Sequence, residues 1–238
     1  MTGLSRVARR LRQSVGLVPR NRREIARRYL RGDGIEIGAL HNPLQVPKSA
    51  RVRYVDHLTV DELRRHYPEL AHEPLVEVDL VDDGERLTTV GDATQDFLIA
   101  NHFLEHCEDP LGALGNMIRV LRPDGVLYLA VPDKRYTFDA DRPLTSTDHL
   151  IRDHRDGPEW SRRGHYEEWA RLVDKADEPE AHATALLVRG YSIHFHAWTQ
   201  AELLELLQTA ARELELDFDI ELMLKNGHEV IFVLRKAA

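Results

Sequence analysis

The sequence predicts a doubly wound α/β domain: a seven-stranded, mostly parallel sheet that closes in an antiparallel hairpin. Three observations carry this. The run Gly34-Ile35-Glu36-Ile37-Gly38 is a short apolar stretch ending in an acid and a glycine, the pattern that opens a nucleotide site at the carboxyl edge of a first strand. Apolar runs then alternate with helical segments as far as Val131. Finally, two strand-like runs meet at Asn226-Gly227, and a connection that short joins only antiparallel neighbours.

The elements follow in order. Asn21 caps a helix that runs through Glu24 and Ala26 to Tyr29 and stops at Gly32. Strands are expected at 34–38, 52–56, 76–79, 96–100 and 126–131. The last of these is nearly continuously apolar, as a parallel strand covered on both faces should be. A short helix capped by Thr59 follows the second strand. Residues 110–121 form a helix with Pro110 in its first turn and Leu111, Leu114, Ile118 and Leu121 on its buried face. Arg122-Pro123-Asp124-Gly125 reads as a stop and a turn. Residues 133–196 break the pattern: they are polar and helical, with His149, His154, His165 and His182. Thr199 and Glu202 then make a capping box for a helix over 201–211, and strands at 218–222 and 230–234 complete the sheet. The division expected is a basic helical arm over 1–32 and one domain over 33–238, with a helical substrate cap inserted at 133–196.

Composition narrows the class. A chain of 238 residues with 42% hydrophobic content can bury a sizeable core, and 30% charge of mixed sign argues against global disorder. The lone Cys107 permits no disulfide within the chain, which fits a reducing compartment. No apolar run is long enough for a membrane span, and Met1-Thr2-Gly3-Leu4-Ser5-Arg6 has no signal-peptide core, so a cytoplasmic protein without integral membrane association is expected. Residues 1–31 hold ten arginines against one acid, Glu24, a net +9; with a chain total of −8, the rest carries −17. Leu11, Val15 and Val18 recur at helical spacing, so the arm is read as a helix packed on the acidic body. Tyr29 is its only aromatic and the body repels polyanions, so nucleic acid is not expected as a partner. Nothing in the sequence fixes an oligomeric state.

Four segments together resemble the class I S-adenosylmethionine-dependent methyltransferases, in the methyltransferase type 11-like group. They are Glu36-Ile37-Gly38, Val55-Asp56, the stretch Asp83 to Leu87 after the third strand, and the block from Phe97 through Asn101 to His106 that leads, past Asp109-Pro110, to Arg122-Pro123-Asp124-Gly125. The resemblance covers about residues 33–134 and the closing hairpin. It implies a Rossmann-like fold and S-adenosylmethionine as cofactor. It places Asp56 on the ribose hydroxyls, Asp83 (or its neighbour Asp82) on the adenine amine, and Gly38, Ala39, Glu36, Asn101 and His106 around the methionine end or its loop. The loop departs from the family pattern: Leu40 and Asn42 stand where further glycines are usual, and Asn42 is expected to take over a left-handed position.

Methyl transfer to a hydroxyl needs a base, and histidine suits neutral pH. His194, His196 and His149, with Asp133 at the end of the fifth strand, are the catalytic candidates. His194 and His196 share a face if their segment is extended, and with Asp133 could form a metal site; a divalent metal is possible but not favoured. The polar residues between 133 and 165 suggest a polar small-molecule acceptor, with O-methylation of a sugar or sugar-bearing natural product the first reading. N-methylation of an amino sugar, with Asp133 and Asp139 orienting the amine, is the second. A non-catalytic Rossmann-like binding module is the third.

Overall fold

The computed structural model describes residues 19–238. Its centre is one seven-stranded sheet in the order β3-β2-β1-β4-β5-β7-β6. Strands β1 (Gly32–Ile37), β2 (Ala50–Asp56), β3 (Leu80–Val81), β4 (Gln95–Asn101) and β5 (Leu121–Pro132) are parallel. The pair β6 (Phe218–Asn226) and β7 (Glu229–Lys236) is antiparallel, with β7 against β5. This is the predicted Rossmann-like architecture. The strand order reverses at β1, whose neighbours β2 and β4 run on either side, and the crevice beyond the strands' carboxyl ends opens there.

Alternation along the central strands divides the core in two. Ile35, Ile37, Leu98, Ala100, Leu127 and Leu129 face helices α3 (Pro110–Val120) and α7 (Gln200–Glu213). Phe97, Ile99, Val126 and Tyr128 face the other way, where α1 (Arg22–Tyr29) lays down Ile25 and Ala26, both fully buried. The caps read from the sequence are present: Asn21 accepts from the Glu24 amide at 3.0 Å, and Thr59 and Thr199 each close a capping box, Thr59 opening α2 (Val60–His66); Asp109 also caps α3, accepting from the Gly112 amide at 2.9 Å. Leu11, Val15 and Val18 lie outside the described residues.

Three expectations shift. The third strand is only Leu80–Val81, because Asp79 competes with the ladder: its carboxylate accepts from the Tyr54 amide at 2.8 Å, a donor that a longer strand would have used. Residues 122–125 form a bulge within β5 rather than a turn before it, since Gln95 already pairs with Leu121 before Phe97 pairs with Val126. At the hairpin, Asn226 is the last paired residue and Gly227 and His228 make the loop, with Gly227 at φ +65°. Asn226 instead donates to Glu229 at 2.6 Å.

Residues 133–196 contain α4 (Thr147–Asp156), α5 (Glu159–Leu172) and α6 (Pro179–Arg189). They carry a small core of their own, with Tyr166, Trp169, Leu186, Ile193 and Phe195. A fully buried Arg142 fastens it: Asp139 accepts at 2.8 Å, Glu168 at 2.7 Å and the Phe195 carbonyl at 3.1 Å. Among the described residues, no helix is long and apolar enough to cross a membrane.

Candidate active site

The carboxyl ends of β1, β2 and β4 converge on one crevice. Gly38, at φ +62°, donates its amide to the Val55 carbonyl at 2.9 Å. A Cβ there would meet only a Phe103 ring atom, 3.8 Å away, so the backbone lies open toward the crevice. The loop that follows is folded back by Glu36. Its carboxylate accepts from the Leu44 amide at 3.0 and 3.1 Å and from Asn101 Nδ2 at 3.2 Å. Burial outweighs those bonds and pushes the Glu36 carboxyl up to about 7. The left-handed position in this loop is Leu40, at φ 49°, and not the expected Asn42. The Leu40 carbonyl accepts from the Val76 amide at 2.8 Å, which ties the strained residue to the sheet edge.

Two cavities adjoin in the crevice. The first, about 580 Å³, is lined by Asp56, Asp83 and Glu85, with Tyr67, Phe103 and Tyr191 among its walls. Asp56 Oδ1 accepts from the His57 amide at 2.8 Å, and its Oδ2 takes no hydrogen bond among the described residues. Of the two adjacent acids, Asp82 is spent on Thr88 and Thr89 and is buried, whereas Asp83 lines the cavity. Gly84 packs tightly beneath them: a Cβ would come within 2.6 Å of both Ile37 Cγ2 and Phe103 Cζ. Burial pushes Glu85 up to about 7, against the amides of Glu108 and Asp109 that it accepts from. The second cavity, about 740 Å³, is lined by Arg22, Arg23, Glu36, Ala39, Asn101 and His228, among others. Gly38, Leu40, His102 and His106 line both.

The two boundary histidines are held differently. His102, at φ 50°, has Nε2 2.8 Å from Glu229 and Nδ1 3.6 Å from Glu105. Burial opposes its charge, but those carboxylates prevail and raise its pKa. Glu229 also pairs with Arg22; burial works against its charge, yet these partners hold its carboxyl at about 2. His106 is driven the other way, to about 3, first by burial and then by His194. Its Nδ1 lies 2.9 Å from the Ile193 carbonyl, so Nδ1 carries the proton and Nε2 keeps its lone pair. Behind it, His194 Nδ1 is 2.7 Å from Asp139 and its ring is 4.6 Å from that of His106.

The structure thus gathers Gly38, Asp56, Asp83 and His106 around the first cavity and Glu36, Gly38, Ala39, Asn101 and His106 around the second. The residues expected to move the proton line neither. Asp133 is fully buried and ion-paired with Arg135 at 2.6 Å. His194 and His196 do not share a face: His194 packs on His106 and Phe138, His196 on His149, His165 and Trp198, which also separates both from Asp133's pairing. Sequence reasoning missed His102. It lay within the block that carried the resemblance, but its partner Glu229 is 127 residues away.

Residues 32–129 match the family model described as a methyltransferase domain. No curated protein matches the chain. Among solved structures, a Rhodobacter sphaeroides protein assigned to the zinc-dependent alcohol dehydrogenases superposes with a TM-score of 0.53 at 15% identity, covering 88% of this chain and 86% of its own. A SAM-dependent methyltransferase from Thermotoga maritima gives 0.48 at 14% identity over 98% of both chains. One from Aquifex aeolicus gives 0.46 at 14%, over 88% of this chain and 85% of its own. At these identities the first likeness speaks for the fold alone. The fold is Rossmann-like, with its crevice at the β1 switch point. The domain match places a methyltransferase domain over residues 32–129, consistent with an S-adenosylmethionine-dependent enzyme.

Proposed function

We propose that this enzyme O-methylates a polar small molecule, a sugar or a sugar-bearing natural product, with the adenosyl group in the first cavity and the acceptor in the second. The carrying observation is the shared boundary: two adjoining cavities meet at His102 and His106. In this reading Asp56 accepts from the ribose hydroxyls and Asp83 from the adenine amine. Gly38, Ala39 and Asn101 meet the methionine end, and Glu36 holds the loop that carries them. Arg22, Arg23, Asn226 and His228 supply the second cavity with the hydrogen-bonding groups a hydroxylated acceptor needs.

S-adenosylmethionine supplies an electrophilic methyl on a sulfonium. The residues of the chain align the acceptor oxygen and take its proton. His106 is the base in this scheme: its tautomer is set by the Ile193 carbonyl, and its Nε2 would receive the hydroxyl proton on methyl transfer. His102 has both ring nitrogens turned to carboxylates, Nε2 at 2.8 Å from Glu229 and Nδ1 at 3.6 Å from Glu105, so neither faces the acceptor. Tyr166, Tyr191, Ser192 and Phe195 line the first cavity, so in this reading residues 133–196 cap the cofactor rather than the acceptor. The single buried thiol, Cys107, is in keeping with a cytoplasmic setting.

The test combines calorimetric titration of S-adenosylmethionine and S-adenosylhomocysteine with labelled methyl transfer to a panel of sugars, glycosides and amines. Asp56→Ala is expected to weaken cofactor binding at least tenfold. His106→Asn is expected to lower kcat by about 10²–10⁴-fold with cofactor affinity unchanged. A His106→Asn enzyme with wild-type kcat would overturn the base, and transfer to amines alone would overturn O-methylation.

A further inference from the structure

Three histidines of residues 133–196 take no part in the scheme above, yet they meet at one point. His149 and Asp153 lie four residues apart on α4, so their side chains leave the same face of the helix. His165 comes from α5, and His196 from the strap that leads back to α7. His149 Nε2 is 3.0 Å from Asp153 Oδ2 and 3.1 Å from His165 Nε2; His196 Nε2 is 3.9 Å from the same Asp153 oxygen. One ligand atom from each of the four lies within 4.8 Å of all the others.

The point is dry and short of partners. The Asp153 and His196 side chains are fully buried. Asp153 Oδ1 accepts from Ser161 Oγ at 2.7 Å, which aims Oδ2 at the histidines, yet Oδ2 itself has no hydrogen-bond donor. Neither nitrogen of His196 has a hydrogen-bond partner. Trp198 stacks on the His196 ring, with centroids 5.4 Å apart. A buried polar atom left unpaired is costly, so Asp153 Oδ2 and His196 Nε2, both unpaired and 3.9 Å apart, mark a place built to hold something.

We propose that His149, Asp153, His165 and His196 bind one zinc ion. Metal–ligand distances of about 2.0–2.2 Å give a tetrahedron with edges of roughly 3.3–3.6 Å, and the separations of 3.0, 3.1 and 3.9 Å bracket that range. Three imidazoles and one carboxylate suit zinc better than the oxygen-seeking magnesium or calcium. Four protein ligands leave no open position, so the ion is structural. It ties α4 and α5 to the strap, whose Phe195 lines the first cavity. The site is independent of the acceptor and of the base assigned above.

The test is metal analysis of the full-length protein, followed by stripping with a chelator and titration with zinc. One equivalent per chain is expected, with a rise in Tm on rebinding and, with cobalt instead, the intense visible absorption of a tetrahedral ion. His196→Ala and Asp153→Asn are expected to lose the equivalent. Ser161→Ala, which removes only the bond orienting the carboxylate, is expected to weaken binding about 10–100-fold. His154→Ala, whose ring pairs with Asp109 outside the cluster, is expected to retain it. Stripped wild-type protein that takes up no stoichiometric zinc would overturn the proposal even if the variants fail to fold. So would zinc binding that survives both His196→Ala and Asp153→Asn.

Discussion

Replacing Glu36 by Gln tests the physical account of the cofactor loop most directly. The carboxylate is 1% exposed and is surrounded by donors, the Leu44 amide on both oxygens and Asn101 Nδ2 on one. Gln keeps one acceptor, which Leu44 and Asn101 can share, but turns its amide N–H toward the Leu44 amide, leaving a buried donor unpaired at about 1–3 kcal/mol. Wild type carries an opposing cost that depends on pH. Its carboxyl ionises at about 7 when folded, against 4.5 as the ordinary value. Between those values the native state holds a proton that the unfolded chain has released, so stability falls as pH rises from about 4.5 to about 7. The shift amounts to about 3 kcal/mol. Gln has nothing to ionise. At pH 5 Glu36→Gln is therefore expected to be less stable than wild type by about 1–3 kcal/mol, and at pH 8 to match or exceed it. Urea unfolding at both pH values reads this directly, and comparing the two proteins cancels Glu85, which titrates in the same window. A difference that is the same at pH 5 and pH 8 would refute the reasoning.

Three further outcomes follow from the geometry. Gly84→Ala pushes a methyl against Ile37 and Phe103 and is expected to cost about 1–3 kcal/mol; because Phe103 lines the first cavity, calorimetry should show weaker cofactor binding too. At Leu40, relief of the left-handed backbone by Gly is offset by chain entropy, so Leu40→Gly should change stability by less than about 1 kcal/mol, whereas β-branched Leu40→Val should lose about 1–2 kcal/mol in thermal unfolding. Arg22→Ala removes the cation beside the buried Glu229 and is expected to cost about 1–3 kcal/mol at pH 7. The Glu229 carboxyl is held at about 2, so its contribution is complete above about 4.5 and lost as pH falls toward 2; the Arg22→Ala deficit should vanish there.

Legibility from sequence tracked the distance over which each feature is decided. The caps at Asn21, Thr59 and Thr199 act within three residues, and their residue types announce them. The third strand was misplaced because Asp79 gives its side chain to Tyr54, a residue 25 positions earlier. Glycine counting flagged the loop after β1 as unusual, but it pointed to Asn42. Leu40 takes the left-handed position, its carbonyl secured by the amide of Val76 in the loop before β3. The catalytic candidates suffered most: His194 and His196 are two residues apart in a chain that is extended but turning, and each packs into a different cluster.

By itself the sequence determined the α/β alternation, the closing hairpin and the acids at the strand ends, because hydrophobic period, caps and turn residues act over a few positions. Only the tertiary structure decided which of Asp82 and Asp83 faces the crevice, that His102 and His106 stand between two cavities with their pKa values pushed in opposite directions, and that His149, Asp153, His165 and His196 converge. Those outcomes depend on burial and on partners up to 127 residues distant. Desolvation and charge are set by what surrounds a side chain in space, and no local spacing records that.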